Sequence, residues 1–304
     1  MQARYLDLNT YFRRHFGERV HKLTVDAGLS CPNRDGTVGR GGCIYCNRKG
    51  SGTGAHQKGL SITQQLQASK AAVARRFKAG KFLAYFQSFS NTYAPVDRLK
   101  RLYDEALAMP DVVGLAIGTR PDCISPAVLD LLQGYAREYL VWLEYGLQSA
   151  HDSTLARINR GHDRDCFEAA VAATAGRGIR ICAHIILGLP GEDRSHMHAT
   201  AEFLARLPID GIKLHLLYVI KGTPLAAMHA RGEYQCLEQQ AYADLVCDVI
   251  ERLPAGVVIQ RLTSDPHGKE LIAPLWAMRK DETLNLIRRR LEERDTWQGK
   301  RVDL

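Results

Sequence analysis

Six short runs rich in apolar and β-branched residues recur along this chain, separated by longer stretches with helical patterning. The runs cover residues 20–26, 81–86, 112–118, 140–147, 180–187 and 211–218. Strands that alternate with helices pair in parallel, because each helix carries the chain back across the sheet before the next strand begins. Flanking signals agree. Ser61 and Gln64 form a capping box that opens a helix running to about residue 78. Pro95 and Pro126 suit first helical turns, the second just after an N-cap at Ser125. Residues 163–177, 193–207 and 237–253 supply three more helices, the first of them closed by Gly176 and Gly178. Six such units make a doubly wound open sheet or an incomplete barrel, and spacing alone does not choose. In the barrel, the C-terminal ends of the strands and the loops after them share one mouth, where chemistry is sited in such folds.

Beyond residue 253 the pattern breaks. An apolar run at 257–262 leads through a polar loop to a basic amphipathic helix at 281–294. The expected division is therefore an α/β body over 1–253, with a long loop at 27–50, and a C-terminal helical extension over 254–304. With 45% apolar and 24% charged residues the composition is that of a water-soluble protein. No apolar run approaches the roughly 20 residues that span a bilayer. The first fourteen residues hold Arg4, Asp7, Arg13 and Arg14 and lack the apolar core of a secretory signal. A cytoplasmic protein with no membrane partner is expected.

Eight cysteines in a reducing compartment point to metal or redox chemistry more than to disulfides. Five are scattered. Cys31, Cys43 and Cys46 fall within sixteen residues, spaced Cys-x11-Cys-x2-Cys on the Gly-rich loop after the first run. Thiolates are soft ligands that suit an iron–sulfur cluster or zinc. Three ligands are fewer than a closed structural zinc site takes, and they leave one iron of a cubane open. Zinc on these three cysteines and His56 is the alternative that the spacing leaves open.

The sequence around these cysteines resembles the radical S-adenosylmethionine superfamily, and within it the YhcC-like proteins, which share a domain type with the catalytic subunit of Elongator. The segments that carry the resemblance are CPNRDGTVGRGGCIYC (31–46), FQSFSNTYAP (86–95), GTRPDCI (118–124), LEYGLQSAHDSTLARINRGH (143–162), HIILGLPGE (184–192) and KLHLLYVIKGTPL (213–225). They stand in order on consecutive strands, over roughly residues 15 to 300. The resemblance implies a partial (β/α)6 barrel of the triosephosphate-isomerase type. It also implies a [4Fe-4S] cluster on Cys31, Cys43 and Cys46, with S-adenosylmethionine on the fourth iron. Reduction would then cleave S-adenosylmethionine to a 5′-deoxyadenosyl radical, with flavodoxin or ferredoxin as the electron donor.

Related enzymes place a Gln and, twelve residues on, an Arg that touches the cofactor carboxylate. Gln148 and Arg160 have that spacing, and a guanidinium pairs with a carboxylate in a forked geometry. Gly188 lies in the turn that passes near the adenine. Two departures from the family pattern are visible. The first cysteine gap is eight residues longer than in the commonest form, as in the Elongator-like group. The ribose-binding Glu of many relatives is replaced by Gly118, which leaves Thr119, Asn91 or Glu144 to serve. Cys123 and His184 are candidates to meet substrate.

Relatives that modify wobble uridines imply RNA, and tRNA in particular, as the substrate class. The net charge of +8 agrees, as do the basic runs Arg75, Arg76, Lys78 and Lys81, and Arg288, Arg289, Arg290 and Arg294. A small-molecule or protein substrate for the same chemistry is the alternative. A zinc-containing nucleic-acid-binding module without catalysis is the third reading. Trp276 and Trp297 are expected to anchor the extension to the body.

Overall fold

A computed structural model describes residues 3–47, 50, 55–77 and 79–302, apart from the side chains of 57 and 74–77. The basic run at Arg75, Arg76 and Lys78 thus lies outside the described residues. The strands are β1 Val20–Val25, β2 Lys81–Phe86, β3 Val112–Thr119, β4 Leu140–Gln148, β5 Arg180–Leu187, β6 Gly211–Leu216, β7 Val219–Ile220, β8 Val258–Arg261 and β9 Leu271–Ala273. The helices run α1 Leu8–Phe16, α2 Pro32–Asp35, α3 Ile62–Phe77, α4 Val96–Leu107, α5 Pro126–Tyr135, α6 Asp152–Arg157, α7 Arg164–Thr174, α8 Arg194–Ala205, α9 Pro224–Ala230, α10 Gln239–Glu251 and α11 Lys280–Glu293. The capping box at Ser61 and Gln64 forms as its sequence requires.

Seven strands make one parallel sheet in the order β1-β2-β3-β4-β5-β6-β8, curled into a partial barrel. Its first six members are the expected ones. The seventh, β8, comes from the apolar run at 257–262 that reads as part of the extension, and it pairs in parallel with β6. Period-two patterning explains the burial. Leu23, Phe82, Leu115, Val141, Ile181 and Ile212 face the helices in the main core. Their neighbours Leu83, Ala116, Trp142, Cys182 and Val258 face inward and close over Phe12 of α1, which plugs the barrel floor.

The chain ends finish the edge of β8. The Leu6 carbonyl accepts from the Ile259 amide at 2.8 Å. The buried Gln298 side chain accepts from Leu6 at 2.9 Å and donates to the carbonyls of Pro254 and Val257 at 2.7 Å. α11 packs on α10, and its arginines divide accordingly. Arg290 and Arg294 pair with Asp244 and Asp248, while Arg288 and Arg289 are exposed. Trp276 anchors this region, stacking near Tyr242 and donating to the Leu237 carbonyl at 3.1 Å. Trp297 does not. It is 47% exposed and lies under the ammonium of Lys300. Among the described residues, no helix is long and apolar enough to cross a membrane.

Candidate cofactor site at the barrel mouth

The loop after β1 folds over the C-terminal ends of the strands and is tied down mostly by its own polar residues. Cys31 sits at the N-terminus of the short helix α2, whose end requires the left-handed conformation at Gly36. Asn33 reaches across the mouth, donating to the Asn159 carbonyl at 2.6 Å and lying 3.8 Å from the Cys43 sulfur. Asn159 returns a bond to the Gly42 carbonyl at 2.8 Å, and the Ile44 amide donates to Ile158. The Cys46 amide donates to the Cys43 carbonyl, closing the Cys-x2-Cys turn. These bonds join the cysteine loop to the segment after β4.

Arg160 is the centre of that junction. Its side chain is buried, with Nη1 3.6 Å from the Cys43 sulfur and Nη2 donating to the Gly146 carbonyl at 2.7 Å. Among the described residues its Nε is buried without a partner. Burial alone would push the Cys43 thiol up, but the charge and hydrogen bond of Arg160 outweigh it and hold the thiol below its usual range. Cys46 is pushed up by burial, helped by the Cys43 and Cys31 sulfurs and opposed by Arg34. Behind Arg160, Arg120 forks onto Asp122 at 2.8 and 2.6 Å and donates to the Arg160 carbonyl at 2.7 Å. Gln148, in a left-handed conformation at the end of β4, lies beside Arg160 across Gly146.

Among the described residues, no three Cys, His, Asp or Glu side chains converge tightly enough to hold a single metal ion. Tetrahedral zinc would bring its sulfurs to about 3.8 Å from one another. A cubane takes each thiolate on a different iron and so from farther apart. Three thiolates on one loop are a donor set whose chemistry suits a cluster.

The other candidates fall into two groups. Around Cys31, the Asn91 side chain donates to the Gly118 carbonyl at 2.9 Å, while its Oδ1 is buried without a partner. The Ser88 hydroxyl is likewise buried and, among the described residues, unpartnered, and the buried Ser90 hydroxyl lies beside the Cys123 thiol. Thr119 shares a 2.6 Å bond with Thr92, which also donates to the Cys123 carbonyl. The Cys123 thiol is pushed up to about 12 by burial and by the adjacent Asp122 charge. Gly188 has a positive φ of 87°, and a Cβ there would meet Leu237. Its turn and that packing already require glycine.

Glu144 and His184 belong deeper, inside the barrel. The wholly buried Glu144 accepts from Lys22 at 2.7 Å, from His184 at 3.0 Å and from Lys213. Both its oxygens are committed to these three donors, so its carboxylate is not free to accept from a ribose hydroxyl. Burial would raise its pKa, yet Lys213 and Lys22 hold it well below the carboxylate range.

Sequence reasoning overlooked Arg120, Asn33, Lys22, Lys213 and Arg261. Asn33 and Arg120 stand inside quoted motifs. Lys22 and Lys213 carried a further signal, as charged residues at inward positions of otherwise apolar strands.

A family model described as the Radical SAM superfamily matches residues 35–204, and one described as the Radical_SAM C-terminal domain matches 209–293. The chain is 42% identical to YtqA of Bacillus subtilis over 98% of its length and 93% of that protein's. It is 44% identical to YhcC of Escherichia coli K12 over 86% of its length and 84% of that protein's. Among solved structures, the N-terminally truncated archaeal Elp3 of Methanocaldococcus infernus superposes with a TM-score of 0.69 at 16% identity. That match covers 92% of this chain and 64% of Elp3, so the chain spans less than two thirds of that structure. On the span of the family model and the identity to YhcC, the chain belongs to the radical SAM superfamily.

Proposed function

We propose that this chain binds a [4Fe-4S] cluster through Cys31, Cys43 and Cys46 and cleaves S-adenosylmethionine reductively at the barrel mouth, as an RNA-modifying enzyme. The observation that carries the reading is the guanidinium of Arg160, buried between the Cys43 sulfur and the Gly146 carbonyl with its Nε unpartnered. A cluster held there supplies the electron that opens the sulfonium C–S bond and yields a carbon radical able to take hydrogen from a substrate. The protein's part is binding, orientation and exclusion of water. Arg160 and Gln148 suit the cofactor's carboxylate end, as a charged donor and an amide beside Cys43. The unpartnered Asn91 Oδ1 and the hydroxyls of Ser88 and Ser90 suit its sugar hydroxyls. Flavodoxin or ferredoxin would deliver the electron.

RNA as substrate is supported by the net charge of +8, by the exposed Arg288 and Arg289, and by a fold shared with Elp3. Anaerobic reconstitution with iron and sulfide should give a brown protein absorbing near ~400 nm that releases 5′-deoxyadenosine on reduction. Cys43→Ala should lose both properties, and cleavage retained in that variant would sink the cluster assignment. Binding of bulk tRNA should weaken steeply with salt. A flat response would remove RNA and leave the cleavage chemistry standing.

A further inference from the structure

The inner face of the barrel carries a group of polar side chains that cluster and cofactor binding leave unused. Lys22 of β1, Tyr85 of β2, Glu144 of β4, His184 of β5 and Lys213 of β6 form one connected network. Lys22 donates to Glu144 at 2.7 Å and to Gln260 of β8 at 2.6 Å. Lys213 donates to the same carboxylate and to the Tyr85 hydroxyl at 3.0 Å. Glu144 is the one carboxylate in contact with the two lysines among the described residues.

Arg261 is the cross-strand partner of Lys213 in the β6–β8 register. It is half-buried and makes no side-chain hydrogen bond or ion pair among the described residues. The group therefore sets two lysines, whose pKa values burial lowers, and the guanidinium of Arg261 against one carboxylate. His215, with its ring 5.2 Å from that of His184, has Nε2 buried without a partner, and so has the Gln260 amide nitrogen. Burial, and then the Arg261 charge, hold His215 neutral, well below the usual histidine range. Arg261 is the last residue of β8 and His215 stands one before the end of β6, so the group reaches the C-terminal ends of the strands, over which the cysteine loop folds. A buried donor or acceptor left unsatisfied costs about 1–3 kcal/mol, so His215 Nε2 and the Gln260 amide call for a partner beside the half-buried Arg261.

We propose that this inner face seats an oxyanion of the substrate, a carboxylate or a phosphate, with Arg261 as its forked partner and Lys213 and His215 beside it. The inference rests on the proposed function for the identity of the guest as substrate, since both share one mouth. Anion binding itself requires no cluster. A substrate anchored at its anion has its remainder held toward Cys31, Cys43 and Cys46, the arrangement that a single hydrogen abstraction needs.

The test is calorimetric titration of the full chain with inorganic phosphate and, separately, with acetate. Saturable binding of one of them is expected, and the tighter one identifies the substrate's class of anion. Arg261→Gln should weaken it at least about tenfold, equivalent to about 1.4 kcal/mol. Arg137→Gln, at an exposed position just after α5, should leave it unchanged. Arg261 has no partner to lose, so its variant should fold. Phenylglyoxal labelling of Arg261, read by mass spectrometry, should slow when the anion is present. Equal affinity in wild type and Arg261→Gln, or no saturable binding of either anion, would overturn the proposal. Cys43→Ala separates the two readings, because it should lose the cluster and keep the anion. If no cluster forms in the wild type while binding still depends on Arg261, the proposed function fails and the anion seat stands.

Discussion

The guanidinium of Arg160 lies 3.6 Å from the Cys43 sulfur and is held in place by its 2.7 Å bond to the Gly146 carbonyl. One side chain thus joins the end of β4 to the cysteine loop, 117 residues away in sequence. Arg160→Lys keeps the charge and loses the fork. The cluster should still form, with unchanged absorbance, while S-adenosylmethionine binds about 10- to 100-fold more weakly, the loss of one charge-assisted hydrogen bond. Equilibrium dialysis of the cofactor against the reconstituted protein measures this. Unchanged affinity would place the carboxylate elsewhere.

Gly146→Ala tests the same junction from below. A Cβ at 146 would lie 2.5 Å from the Gln148 amide nitrogen and 2.7 Å from Arg160 Nη2, so both side chains must move. The cost of such overpacking is about 1–3 kcal/mol. A lower urea midpoint should accompany a loss of cofactor affinity like that of Arg160→Lys. A midpoint shift with intact affinity would show that Arg160 is not the group displaced.

The architecture was largely legible because each signal was local. Six strands and their helices announced themselves through period-two and helical patterning, and Ser61 with Gln64 through cap chemistry. What escaped depended on contacts remote in sequence. β8 is four residues long and becomes a strand only because β6 on one side and Leu6 on the other supply its hydrogen bonds. Arg290 and Arg294 look like free positive charge until α10 brings Asp244 and Asp248 beneath them. At the site, the cysteines were singled out by their spacing and Arg160 by the resemblance to related enzymes. Glu144 was weighed for the ribose because nothing local shows that Lys22, 122 residues earlier, and Lys213, 69 residues later, meet on its carboxylate.

That buried network gives a stability prediction. Glu144→Gln leaves Lys22 and Lys213 facing each other with their shared anion gone. Breaking a buried pair from one side costs about 3–5 kcal/mol, because the remaining charge is uncompensated. Adding Lys213→Met to Glu144→Gln should restore part of the loss. A double-mutant cycle in urea measures the coupling. Strict additivity of the two changes would show that the carboxylate and ammonium act independently.

His184 sets the pH dependence of the same network. Burial, and then the Lys213 charge, lower its pKa to about 4, against the hydrogen bond it donates to Glu144, which pulls it up. The folded chain therefore holds His184 neutral where the unfolded chain, with an ordinary value of 6.5, takes a proton. More protons bind the unfolded state between those values, so stability is full above pH 6.5 and falls as pH drops toward 4. For one such group the loss is about 3 kcal/mol. Glu144, depressed below its ordinary 4.5, adds a further loss only at lower pH, as its carboxylate is protonated. His184→Gln keeps a donor for Glu144 and removes the titration. Its urea midpoint should fall less steeply than that of the wild type between pH 7 and 4.5, measured anaerobically on the metal-free chain at fixed ionic strength. The slope that persists in the variant includes His215, His162 and His21, which burial depresses in the same direction, less the opposite contribution of Glu192, which burial raises. Identical slopes in the two proteins would show that His184 takes up its proton at the same pH folded and unfolded, so that burial does not depress it.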